Sequence, residues 1–235
     1  MSSELAGLMS ATFHEAGYAH LVELVHQKDR AARRRLHSVR LAAYDAEGGG
    51  RLDVALDPAQ EILDLAALLE APARRHGRLL VIFDARYDPQ IFPYRPHHYA
   101  YLHRPDSPAP PLYYAVNATL GGVPDRIGAV ALNNFESYLF LDREVVGQHA
   151  VAIGNLSRFA AADAEVVTYY DGSRHVENLR LPPKAHTEVA LPPARDGQRL
   201  RRVEVKALFR LTSYVVLRRA GGELALFDHL FTYFK

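Results

Sequence analysis

The sequence predicts a mainly β protein: two tandem antiparallel β-sandwich-like domains with at most one or two short helices. Three observations predict it. Apolar and polar residues alternate with period two in one segment after another, as half-buried strands require. Turns rich in Gly, Asp and Pro separate those segments. The two halves of the chain can also be laid over one another at a nearly constant offset of about 125 positions, as an internal duplication would give.

Taken in order, residues 1–17 are weakly patterned and read as a short helix or a loose arm, and 18–26 read as a strand. Residues 28–37 (Lys-Asp-Arg-Ala-Ala-Arg-Arg-Arg-Leu-His) are a basic connection, read as a solvated loop or helical turn rather than a phosphate site. In 38–44, Val39, Leu41 and Ala43 share one face, which marks a half-buried strand. Asp45-Ala-Glu-Gly48-Gly49-Gly50 turns the chain, and Leu52, Val54 and Leu56 complete a hairpin. The Ala, Leu and Glu content of 58–70 suits a helix, with Asp57 as N-cap and Pro58 at its first position. The apolar run 79–83 suits a central strand.

In the second half, 137–141, 149–156, 164–170, 176–181 and 187–191 read as strands. The cleanest alternation of all is Val203, Val205, Ala207 and Phe209 against Arg202, Glu204, Lys206 and Leu208. A last hairpin is expected over 211–218 and 223–234, around Ala220-Gly221-Gly222. Three segment pairs carry the duplication. Val39-Arg-Leu-Ala-Ala-Tyr44-Asp45 matches Glu165-Val-Val-Thr-Tyr-Tyr170-Asp171. Leu56-Asp-Pro58 matches Leu181-Pro-Pro183, and Arg78-Leu-Leu-Val-Ile matches Arg201-Arg-Val-Glu-Val. The expected boundaries are 14–105 for the first repeat, 106–129 for a Pro/Gly-rich connection and 130–235 for the second repeat. The run Pro105-Asp-Ser-Pro108-Ala-Pro110-Pro111 breaks regular structure between them.

A strand such as 164–170, an Asp-Gly turn, an outward strand and a Pro-bearing corner such as Leu181-Pro-Pro183 together resemble bacterial β-sandwich modules of the sensory rhodopsin transducer type and other Ig-like sandwiches. The resemblance covers part of each half and implies a non-enzymatic binding or assembly role.

Composition narrows the function. A net charge of +1 with both signs interspersed argues against a nucleic-acid or anionic-membrane binder. The chain has no cysteine, which removes disulfides, thiolate metal sites and Cys nucleophiles. The N-terminus has no signal-peptide pattern and no run reaches transmembrane length, so a cytoplasmic protein is expected. There is no G-x-S-x-G, S-x-x-K or H-E-x-x-H, and the glycine-rich 121–128 lacks the P-loop ending.

The densest run of His, Tyr and Asn lies in 89–140. On a strand over 96–104, His97, Tyr99, Tyr101 and His103 share one face and His98, Ala100 and Leu102 the other. His97 and His103 are then about 20 Å apart, too far to share one ion. The spacing of six between His14, His20 and His26 likewise reads as far apart on a strand or on different faces of a helix. No metal and no cofactor is therefore expected, and a cupin-like oxygenase lacks its His-x-His pair. The stretch reads instead as a binding surface made of Tyr94, Tyr99, Tyr101, Tyr114, Asn117, Arg126, Asn133 and Asn134, or as a buried seam between the repeats. The leading expectation is a non-catalytic module that self-associates or binds a protein or small molecule. The alternative is an enzyme acting on a small apolar or polyketide-like substrate, with acid–base groups from His97, His98, His103 or Glu136.

Overall fold

The computed structural model describes residues 6–25, 36–87, 98–119, 134–140, 147–195 and 198–232. The chain divides into two compact units, Met1–Gly121 and Gly122–Lys235. All strand pairings given below are antiparallel.

The first unit contains β1 (Ala6–His14), β2 (Ala19–Glu23), β3 (Leu36–Tyr44), β4 (Gly50–Leu56), β5 (Ile62–Asp64), α1 (Leu65–His76), β6 (Leu79–Tyr87), β7 (Tyr99–His103), β8 (Leu112–Ala115) and β9 (Asn117–Thr119). They form a five-stranded sheet in the order β4-β3-β6-β1-β9 and a four-stranded sheet in the order β5-β2-β7-β8. The predicted patterns explain two of these strands directly. Val39, Leu41 and Ala43 are buried while Arg40 is exposed, so β3 shows one face to the interior. Residues 79–83 are buried throughout, because β6 lies between β3 and β1 with both faces covered. At the β3–β4 turn, the Asp45 carboxylate accepts the backbone N–H groups of Glu47 (3.0 Å) and Gly49 (2.8 Å) and the Arg51 side chain, and Gly48 takes a positive φ of 88°.

The second unit contains β10 (Asn134–Leu139), β11 (Gly147–Gly154), β12 (Ala162–Tyr170), β13 (Ser173–Leu181), β14 (His186–Ala190), β15 (Leu200–Ala207), β16 (Thr212–Arg219), β17 (Leu224–His229) and β18 (Phe231–Thr232). Its sheets run β13-β12-β15-β10-β18 and β14-β11-β16-β17. Val166, Val203 and Val205 of the first sheet pack in one apolar cluster with Val151, Ile153, Val215 and Leu217 of the second, so the sheets meet face to face.

Counted within its own unit, each sheet has the same order in both. The larger runs fourth-third-sixth-first-ninth and the smaller fifth-second-seventh-eighth. The three matched segment pairs fall on corresponding strands: 39–44 and 165–170 on the third, Leu56 and Leu181 at the end of the fourth, and the third pair at the start of the sixth.

Four expectations need correction. The N-terminal segment is neither helix nor arm but β1, a central strand. Its residues 10–14 are buried on both faces, which erases any alternation. The first unit therefore begins before residue 14. It also extends past 105, because β8 and β9 lie inside the supposed connection, with the prolines leading into the edge strand β8 where a missing N–H costs no ladder bond. The helix starts at Leu65 rather than Pro58. Asp64 caps it by accepting the Ala67 N–H at 3.0 Å, and Leu65, Leu69 and Ala73 form its buried stripe. It runs through Pro72, which gives up one helical hydrogen bond. Finally, the C-terminal segment is not one hairpin arm. β17 pairs with β16, the chain changes sheet at the buried Leu230, and β18 pairs with β10.

Candidate functional site

The four-stranded sheet of the first unit carries chemistry on both faces. Along β7 the expected split holds: Ala100 and Leu102 are buried and Tyr99 is 48% exposed, with Tyr101 and His103 half-buried. Register sets Tyr101 opposite Tyr113 of β8 and Leu21 of β2, and Glu23 opposite both Tyr99 and Ile62. The Tyr101 and Tyr113 rings meet edge to face, 5.2 Å between centroids. Tyr113 is 77% exposed and Ile62 63%. This outer face is therefore a row of large apolar and aromatic groups in water.

The inner face is polar at one place. Tyr114 follows Tyr113 on β8 and points inward, since successive strand residues alternate. Its hydroxyl lies 2.7 Å from Thr12 Oγ1 and 2.8 Å from His20 Nε2. His20 Nδ1 in turn lies 3.3 Å from His14 Nδ1, with the two rings stacked at 5.5 Å. Thr12, His14 and His20 have no exposed surface. This overturns the sequence-based separation of His14 and His20. Residues 15–18 turn the chain, with Gly17 at a positive φ of 84°, from β1 in one sheet to β2 in the other. A spacing of six then measures a step between stacked sheets, not a distance along one strand.

The proton positions on this chain are coupled. Two apposed Nδ1 atoms hold together only if one carries the proton and the other accepts it. Either His14 donates to His20, whose Nε2–H then donates to Tyr114, or His20 donates to His14 and Tyr114 donates to His20. His14 Nε2 is buried with no hydrogen-bond partner among the described residues in either case. Burial holds the His20 pKa down to about 3, with His14 adding to the effect. Burial also lowers that of His14, against the pull of Glu70, Glu15 and Asp64. Tyr114 is pushed up by burial, with the Thr12 hydrogen bond opposing. Thr12, His14 and His20 thus hold this chain of hydrogen bonds out of contact with solvent.

The remaining candidates scatter. His98 is buried against Phe83, 5.6 Å between centroids. Asn117 is buried on β9, in the other sheet of the same unit. Glu136 and Asn134 belong to β10 of the second unit. Glu136 is fully buried with Arg210 Nε at 3.6 Å, and Asn134 sits opposite Ala207. Tyr94, His97, Arg126 and Asn133 lie outside the described residues. Sequence reasoning missed Thr12, His14, His20, Leu21, Ile62 and Tyr113; the glycine between Phe13-His14 and Ala19-His20 was the available signal for the histidines.

The chain matches no family model, no curated protein and no solved structure. Among the described residues, no group of three or more acidic or histidine side chains could hold a metal ion, and no helix is long and apolar enough to cross a membrane. The second unit has a shallow groove of about 570 Å³ lined by Asp163, Glu165, Asn178, Arg180, Lys206 and Leu208. Its Asp163 and Arg180 are already paired at 2.9 Å.

Proposed function

We propose that the protein is a non-catalytic assembly module built from two copies of one nine-stranded unit, and that the outer face of β2, β7 and β8 is its contact surface for a second copy of the chain. The single observation that carries this is the exposure of Tyr113 and Tyr99 beside Leu21 and Ile62 on one sheet face. Amphipathic aromatic side chains that spend their surface on water gain most from a partner. Charge favours self-pairing at one end of the face. Glu23 and Asp64 lie on β2 and β5, whereas the outward side chains of β7 and β8 are Tyr99, Tyr101, His103, Tyr113 and Ala115, with no carboxylate. A two-fold contact centred there opposes no like charges. β8 is also an edge strand, open to pairing along its backbone.

The test is light scattering coupled to size exclusion on the full chain at pH 7.5. The expected result is a dimer mass for the wild type and a shift toward monomer for Tyr99→Ser/Tyr113→Ser. An aromatic anchor of this kind is worth about 2 kcal/mol, or about thirtyfold in Kd. A wild type that is strictly monomeric at high concentration overturns the reading.

A further inference from the structure

We infer that protons taken up at the His14–His20 pair control this outer face: while the pair is neutral the two sheets of the first unit stay closed, and once it is charged the four-stranded sheet parts from the five-stranded one. The inference rests on the reading of that face as the contact surface, and names its regulation.

The geometry places the pair at the joint. Thr12 and His14 come from the five-stranded sheet, His20 and Tyr114 from the four-stranded one. The Thr12–Tyr114 and His14–His20 contacts are therefore ties between sheets. A first proton can be hydrogen-bonded, because a charged His20 donates to both His14 and Tyr114, but the cation stays out of water. A second proton turns the 3.3 Å contact into two N–H groups facing one another, with no acceptor between them.

The neighbouring carboxylates of Glu70, Glu15 and Asp64 pull toward the charged form of His14, but burial outweighs them, and each is held by a partner of its own. Glu15, on the turn after β1, is held by Arg78 at the entry to β6. Glu70 of α1 pairs with Arg74 at 2.8 Å and accepts the Gly17 N–H at 3.2 Å. Asp64, at the end of β5, caps α1. Just before β7, the remaining inward titratable group is His98, itself buried against Phe83. Parting the sheets returns both imidazoles to water, where charge costs nothing.

The direction follows from linkage. The closed form prefers neutral imidazoles and the open form has ordinary ones near 6.5. The closed state is therefore at full strength above about pH 6.5 and loses about tenfold per pH unit per histidine below it, down toward the closed-state value. Outward-facing Tyr113 and inward-facing Tyr114 are consecutive on β8, so releasing one displaces the other.

The test follows histidine ring and tyrosine NMR signals of the full chain from pH 7.5 to 4, with light scattering on the same samples. The expected result is that His14 and His20 take up protons only as the signals of the first unit change, between pH 6.5 and 4, while those of the second unit stay native. The double variant His14→Asn/His20→Asn should hold the first unit closed at acid pH. If it does not fold, the wild-type titration decides alone. Rings that titrate while the first unit stays native overturn the inference, as does a first unit unchanged at pH 4 or stoichiometric zinc held between the two Nδ1 atoms. A wild type that is monomeric at pH 7.5 removes the assembly reading and leaves the acid opening to be decided by the NMR arm.

Discussion

The two units share a strand order and differ in how each satisfies the polar groups it buries. In the second unit, Asn155 has no exposed surface and its Nδ2 lies 2.8–3.1 Å from the carbonyl oxygens of Ala160, Leu181 and Pro182, while its Oδ1 accepts the Ser157 N–H. Lys184 Nζ donates to the Leu156 carbonyl at 2.6 Å. These side chains answer the backbone. In the first unit, Thr12, Tyr114, His20 and His14 answer one another. Backbone carbonyls do not titrate, so the first arrangement is a fixed corner, whereas a chain of side chains that includes two imidazoles depends on how many protons are present. The same strand order thus carries a backbone-anchored corner in one unit and a chain of titratable side chains at a joint in the other, while the second unit buries its own titratable group, Glu136 beside Arg210, elsewhere.

A smaller contrast has the same form. Asp45 and Asp171 occupy matching turns, and in both cases an arginine plays a part in holding the carboxyl below its ordinary range. For Asp45, burial opposes the lowering by Arg51 and the Gly49 and Glu47 N–H groups; for Asp171, the Arg201 hydrogen bond leads. Asp45 ties its own hairpin, since Arg51 is on β4. Asp171 ties its turn to the neighbouring strand, since Arg201 is on β15.

The largest effect that would sharpen the contrast is Asn155→Ala. It removes two N–H donors and the acceptor of the Ser157 N–H, and should cost about 3 kcal/mol, at about one per lost hydrogen bond, with the same loss at pH 7.5 and pH 5.5 in urea unfolding followed by second-unit probes. A loss that grew on acidification would break the comparison. Tyr114→Phe comes next. Removing the hydroxyl leaves Thr12 Oγ1 and His20 Nε2 without that partner, which should destabilise the first unit by about 1–2 kcal/mol and leave the second unchanged. A neutral result would mean that the chain contributes nothing as a tie. The smallest is Asp64→Ala, which removes the cap of the one α-helix among the described residues. It should cost about 1 kcal/mol, read as faster amide exchange at the start of α1, and nothing in the second unit.

Much of the fold was legible because most strands bury one face. The alternation at 39–43 reports that geometry directly, and the Asp-Gly turns mark where it stops; at 203–205 the alternation misleads, because Glu204 is buried along with Val203 and Val205. β1 was illegible for the opposite reason: with Ser10, Ala11, Thr12, Phe13 and His14 all buried, polar and apolar positions lose their alternation. The helix boundary misled because Asp57-Pro58 offers as good a start as Asp64-Leu65, and only packing of Leu65, Leu69 and Ala73 chooses between them. At the site, the outward Tyr99 and Tyr101 could be read from strand periodicity alone. The His14–His20 contact could not. It depends on which sheet each strand joins, and pairing partners such as Leu79 for His14 and Leu102 for His20 are remote in sequence.

On β8 a single peptide bond separates a tyrosine in water from one in the interior. Linkage between two such sites runs both ways. If charging the imidazoles loosens the outward tyrosine's hold on a neighbouring molecule, then that hold must make the imidazoles harder to charge, by the same factor. Crowded copies of the chain would thus stay closed at an acidity that opens an isolated one, and the concentration of the protein would itself set the pH at which it responds.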